Sequence, residues 1–177
     1  MELLDKLVHP HAVGVVGRTL HRRAARGVIL DGDDILLLFT ERYNDFSLPG
    51  GGVDPHEDLE QALHREVREE TGARNVQVLA PYGRIEELRP HYRDYALMFM
   101  ESFLFLCGAD RALGDTALES YERDNGMSPL WVNLEEALAH NTQVMAAKEA
   151  GMGLSIERET RVLTRLLRER DSLQVAG

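Results

Sequence analysis

Apolar positions fall into two kinds of block along the chain. Arg23 to Leu30 and Ile35 to Thr40 are runs of aliphatic and β-branched residues. The segment Asp31-Gly32-Asp33-Asp34 between them has turn chemistry, so the pair predicts a β-hairpin. Asn75 to Leu79, Tyr82 to Leu88 and Tyr95 to Leu106 predict further strands, with a turn over Arg89 to Asp94. Leu130-Trp131-Val132 predicts a short strand after Pro129. Helical spacing appears in Leu59, Leu63 and Val67, inside a helix predicted from about Pro55 to Thr71. It recurs in Ile156, Val162, Leu163, Leu166 and Leu167, which predict a helix over Ile156 to Arg168, and Leu134 to His140 predicts one more. Glu2 to Val8 reads as a short helix stopped near Pro10. Ser47 to Gly52 is a glycine-rich loop, and Gly151 and Gly153 mark another. Strands and helices mix without regular alternation, which predicts an α/β or α+β fold with helices packed on a sheet.

Length and charge narrow the picture. The 177 residues suit one domain over the whole chain, with residues 1–21 as an N-terminal extension and 155–170 as a C-terminal helix. The formal charge of −10 argues against nonspecific binding of nucleic acid or of an anionic membrane, because neutralising phosphates needs basic patches. A small anionic substrate that arrives with a cation remains compatible. The N-terminus lacks a basic segment followed by an apolar one, and the longest apolar stretch, Ala96 to Cys107, is shorter than the roughly 20 residues that span a bilayer. The expectation is a cytoplasmic protein. Cys107 is the one cysteine, set in an apolar run, and reads as a buried small hydrophobe.

The chemistry gathers between Gly51 and Ala73. Asp54 as cap, Pro55 at the first helical position and Glu57 three residues after the cap predict the helix start, and Gly72 predicts its left-handed end. Glu66, Glu69 and Glu70 are spaced i, i+3, i+4 and share one face. Like charges at that spacing cost about 0.2–0.5 kcal/mol per pair, and Glu69 and Glu70 lie in the last turn, where the macrodipole disfavours anions by about 0.3–1 kcal/mol each. On the helical wheel they lie beside the stripe of Leu59, Leu63 and Val67 rather than opposite it. Two readings fit this: a hard divalent cation that compensates the carboxylates, or a charged surface helix neutralised by Arg65 and Arg68.

The segment resembles the Nudix box. Gly51, Glu57, Arg65-Glu66-Val67, Glu69-Glu70 and Gly72-Ala73 match its nine fixed positions across 23 residues, with Ala73 a small choice at the last aliphatic one. The resemblance implies the α/β/α sandwich of Nudix hydrolases, with a mixed sheet, and cleavage of a diphosphate linkage in a small nucleotide substrate. It implies Mg²⁺ or Mn²⁺ held by Glu66, Glu69 and Glu70, with the Gly50 carbonyl as a further ligand. Arg65 would hold a box glutamate in place, and Glu57 would be structural. The general base would be a box glutamate, Glu66 or Glu69, or a glutamate of the loop before the Leu130-Trp131-Val132 strand, where Glu122 is preferred to Glu119. Arg26, Arg42 and Arg84 are candidates for phosphate contacts, and Tyr43 and Phe46 for stacking on a base. Many members are dimers, so a homodimer is compatible. A noncatalytic ligand sensor of the same fold is the other functional class, but such modules usually lose box carboxylates, and none is lost here.

Overall fold

The side chains of the central strands point alternately to two faces, and the helices cover both. In the computed structural model, which describes residues 1–91, 94–148 and 152–174, the strands are β1 (Leu3–Val8), β2 (Thr19–Asp31), β3 (Asp34–Thr40), β4 (Asp45–Ser47), β5 (Gln77–Pro90), β6 (Leu97–Gly108) and β7 (Met127–Asn133). The helices are α1 (Leu59–Thr71), α2 (Ser120–Asp124), α3 (Leu134–Ala147) and α4 (Ile156–Gln174). On β3, Ile35 and Leu37 pack with Leu134 of α3 and Val162, Leu163 and Leu166 of α4. Leu36, between them in sequence, packs on the other face with Ala62, Leu63 and Val67 of α1. The apolar run of β3 thus reads as a strand buried on both faces, and the architecture is an α/β/α sandwich.

The sheet has seven strands in the order β1-β5-β6-β2-β3-β4, with β7 also paired to β3. It is mixed: β1 runs parallel to β5 and β2 parallel to β6, whereas β5–β6, β2–β3, β3–β4 and β3–β7 are antiparallel. The expected hairpin is present, with Gly32 at φ 60° in its turn. Cys107 is buried, and that burial pushes its thiol up to about 12. Among the described residues no helix is long and apolar enough to cross a membrane.

Four expectations are corrected. Glu2 to Val8 is not a helix: β1 takes the free edge of β5, and Leu7 enters the core, so pairing at a sheet edge overrides local pattern. The first helix starts at Leu59 rather than near Pro55. Asp58, not Asp54, is its cap and Gln61 completes the capping box, while Asp54 and Glu57 close a separate turn ahead of it, with Asp54 N–H donating to Glu57 Oε1 at 2.8 Å and Glu57 N–H to Asp54 O at 3.2 Å. Asn75–Leu79 and Tyr82–Leu88 belong to one strand, β5, which passes Pro81 through irregular register instead of breaking there. The segment before β7 carries a short helix, α2, where a loop was expected. Tyr92 and Arg93 of the expected turn, and Gly151 of the expected loop, lie outside the described residues.

Candidate active site

The glycine loop occupies the place where β2 leaves β3. The two strands pair only at Leu30–Ile35 and Asp31–Asp34. Farther back along β2, backbone bonds go to the loop instead. Gly27 N–H donates to Pro49 O at 2.9 Å, Ala25 N–H to Gly51 O at 3.0 Å, and Val53 N–H to Arg23 O at 3.0 Å. Three elements then fix the loop through side chains. From β2, Arg26 Nη1 donates to Gly50 O at 3.0 Å and Leu48 O at 3.3 Å. From α1, Glu70 Oε2 accepts from Gly50 N–H at 2.6 Å. From α4, Glu159 Oε2 accepts from Leu48 N–H at 3.1 Å. Two loop positions have no room for a side chain. Gly50 has φ 132°, and a Cβ there would lie 2.1 Å from Ala25 O; at Gly51 a Cβ would lie 2.5 Å from the Glu66 carboxylate.

The three glutamates of α1 sit at different depths. Glu70 is buried, the Glu66 side chain retains 15% of its exposure, and Glu69 retains 35%. Desolvation pushes the Glu70 carboxyl well above the usual range, against the pull of the Gly50 N–H, and Glu66 and Glu122 push in the same direction. Glu66 is raised as well, first by burial, with Arg65 opposing and Glu122 and Glu69 adding to it. Arg65 organises this cluster. It donates to Glu57 at 2.5 and 3.1 Å, to Glu66 Oε1 at 2.8 Å and to Gly52 O at 3.1 Å, and its Nη1 lies 3.6 Å from Glu69. Its hydrogen bond to Glu57 holds Glu57 below the ordinary carboxylate range.

These residues border a cleft of about 280 Å³ whose wall includes Arg26, Tyr43, Glu66, Glu70, Glu122 and Arg158. Glu122 is buried, accepting from Tyr121 Oη at 2.9 Å and from Glu119 N–H at 2.7 Å. Glu119 and Tyr121 line the cleft too. Other expected residues lie elsewhere. Glu69 and Arg42 are not in the cleft wall; Arg42 donates to Asn125 Oδ1 at 3.0 Å. Arg84 pairs with Glu86 and Glu101, and Phe46 is part of the core.

Sequence reasoning missed a buried ionic group beside the cleft. Arg158 Nη1 donates to Glu87 Oε2 at 2.5 Å and its Nε to Glu159 Oε1 at 3.0 Å, with all three residues nearly inaccessible. It also missed Asp45, which is 3% exposed and lines the cleft. One signal for Glu159 is in the helical wheel: it is three residues after Ile156 and four before Leu163, within the apolar stripe.

Whether this donor set suits a divalent cation can be judged from its chemistry. Among the described residues no group of three or more carboxylate, imidazole or thiolate side chains is placed to hold a metal ion by itself. Glu66, Glu70 and Glu122 nevertheless line one cleft, and each of the other two raises the Glu70 carboxyl. The Gly50 carbonyl uses one lone pair for Arg26 and keeps the other. An open, oxygen-only, mutually repelling set fits a hard cation that completes its shell with water and substrate phosphate.

The NUDIX domain family matches residues 20–151. Among solved structures, the chain is similar to a NUDIX hydrolase from Nitrosomonas europaea, with 22% identity over 68% of this chain and 78% of that one and a TM-score of 0.52. It is also similar to a MutT protein from Bacillus halodurans, with 24% identity over 67% and 72% and a TM-score of 0.46. A pyrophosphohydrolase from Bacillus subtilis has 21% identity over 63% of each chain and a TM-score of 0.46. No curated protein matches the chain.

Proposed function

The chain belongs to the NUDIX family, and from this premise we propose that it is a pyrophosphohydrolase that cleaves the diphosphate linkage of a nucleoside diphosphate derivative or a nucleoside triphosphate, using Mg²⁺ or Mn²⁺. The observation that carries the reading is the complete box of Gly51 to Ala73, with Glu66 and Glu70 lining the same cleft as Glu122. Glu66 and Glu70, with the Gly50 carbonyl, would hold the cation, and Glu69, outside the cleft wall, stands as a third ligand on the box pattern alone. When bound, the cation neutralises the diphosphate and acidifies water.

The chain's own groups do the rest. Arg65 keeps Glu66 turned toward the glycine loop by a charge-assisted bond, while Glu57 holds Arg65 in turn. Glu122 is the general base: its carboxylate takes the proton of the attacking water on a lone pair left by Tyr121 and Glu119. Arg26 presents positive charge in the cleft wall, and Tyr43 offers an aromatic face for a base. The substrate is thus a small nucleotide. The test is a product-resolved panel of nucleoside triphosphates and nucleoside diphosphate derivatives with Mg²⁺, with Mn²⁺ and with EDTA. Metal-dependent release of a nucleotide product is expected, and absence of turnover across the panel overturns the reading.

A further inference from the structure

Asp45 is an anomaly in the cleft wall. It is 3% exposed, yet among the described residues its carboxylate makes no hydrogen bond and no ion pair. Its oxygens keep slight contact with the solvent of the cleft rather than being sealed in the interior, but so little water compensates a carboxylate poorly, and groups this buried are as a rule partnered. The charges around Asp45 give it no partner. Arg158 attracts it but is bonded to Glu87 and Glu159. His140 attracts it, but its Nε2 lies 2.9 Å from Asn44 O. Glu159 repels it.

Its placement follows from β4. Phe46 turns into the core, its backbone bonded on both sides to the Asn141 amide, so Asp45 and Ser47 turn the other way and line the cleft. Tyr43 stands beside it: a Cβ on Gly153 would be 3.4 Å from Asp45 Oδ2 and 3.5 Å from the Tyr43 ring. The influences on Asp45 come from Glu159, Arg158 and His140, whereas those on Glu70 come chiefly from Glu66, Arg26 and Glu122. Asp45 therefore belongs to a different part of the cleft from the box glutamates.

We propose that Asp45 determines specificity: its two carboxylate oxygens accept a pair of adjacent hydrogen-bond donors on the nucleoside part of the substrate. Two sources present that pair, the N1–H and N2–H edge of guanine and the 2′,3′-diol of a ribose. Burial raises the Asp45 carboxyl to about 6, so at neutral pH it is ionised and accepts only. The ring of Tyr43 next to it offers the apolar face that a nucleoside brings into contact. The inference rests on the cleft being a nucleotide site.

The test compares kcat/KM for GTP, ITP and dGTP with Mg²⁺, in wild type, Asp45→Asn and Asp45→Ala, alongside calorimetric binding of GMP, IMP and dGMP in EDTA. ITP lacks the 2-amino group and dGTP lacks the 2′-hydroxyl. If guanine is read, wild type prefers GTP over ITP by at least about tenfold, and both variants lose the preference. If the ribose is read, the same holds for GTP over dGTP. Losses equal for all three nucleotides, or no loss, overturn the inference and leave the hydrolase reading intact. If wild type turns over no nucleotide, the hydrolase reading falls and the binding arm decides for Asp45. Undetectable or equal binding in wild type and variants then overturns it. Melting temperatures of the variants at or above wild type exclude misfolding as the cause of any loss.

Discussion

A buried carboxylate is unfavourable unless something neutralises it, and Glu70 and Glu69 separate stability from catalysis at the residue level. Glu70 is buried against Gly50 N–H, while Glu69 is partly exposed near Arg65. Glutamine keeps size and helix propensity in both positions. In Glu70→Gln the amide oxygen still accepts from Gly50, and a poorly solvated charge disappears. The expected metal-free melting temperature is at or above wild type. In Glu69→Gln it should stay within about 0.5 kcal/mol of wild type. If both residues hold the cation, each variant loses at least about 10²-fold in turnover, roughly 2.7 kcal/mol of barrier, and the stabilisation by added Mg²⁺ shrinks in both. Melting with and without Mg²⁺, measured beside the rate, checks all three effects. Normal turnover in either variant removes that residue from the metal set.

At the scale of elements, α4 anchors the glycine loop from outside the matched family region, which ends at residue 151. Its first turn supplies Glu159 to Leu48 N–H and joins Arg158 to Glu87 of β5. Truncating one partner of a buried ionic group leaves the other uncompensated, typically at a cost of about 3–5 kcal/mol. Glu159→Ala is therefore expected to lower stability by about that amount and to lower turnover by loosening Leu48 to Gly50. Glu159→Gln keeps an acceptor for Leu48 and should recover most of the turnover. Urea midpoints and kcat together check this, and full activity in Glu159→Ala would show that α4 does not hold the loop. The same elements mark what the sequence made legible. Periodicity and turn chemistry located the hairpin, the end of α1 at Gly72 and the α4 stripe, because these depend on neighbours within a few residues. The nine-position box singles out Arg65, Glu66 and Glu70, and these side chains meet around the glycine loop. The β1 strand, the Arg158 pair and the fate of Arg42 depend on which edge or loop lies opposite, which no local pattern encodes. The helix start is ambiguous for a related reason: Asp54 and Asp58 both carry an acceptor three residues on that bonds their backbone N–H, and the local pattern does not say which pair closes a turn and which caps the helix.

For the whole molecule, the unpartnered carboxylate makes a prediction about pH. The Asp45 carboxyl is raised from 3.8 to about 6 by burial first and then by Glu159, with Arg158 and His140 opposing. Between those two values the folded chain holds more protons at this site than the unfolded chain, so its contribution to stability falls as pH rises. Below about 3.8 Asp45 carries no such penalty, and above about 6 the penalty is complete, on the order of 3 kcal/mol from this gap. Glu57 acts in the opposite direction, since its carboxyl is held low by Arg65 and its contribution is lost as pH falls. Total stability therefore mixes several groups, and the informative quantity is the difference between Asp45→Asn and wild type. That difference should be near zero at pH 4, grow through pH 5–6 and level off by pH 7.5 with the variant more stable. Denaturant midpoints in EDTA at those pH values measure it, and a difference independent of pH would show that Asp45 is solvated like a surface carboxylate. A chain that keeps a side chain at that cost in the wall of its cleft gains from it elsewhere, as functional sites do when they depart from what the fold alone would prefer. A bound nucleoside that donates to Asp45 should then erase the difference: with a saturating nucleotide the Asn variant loses its advantage at pH 7.5, because the wild-type carboxylate has acquired the partner that the protein does not provide.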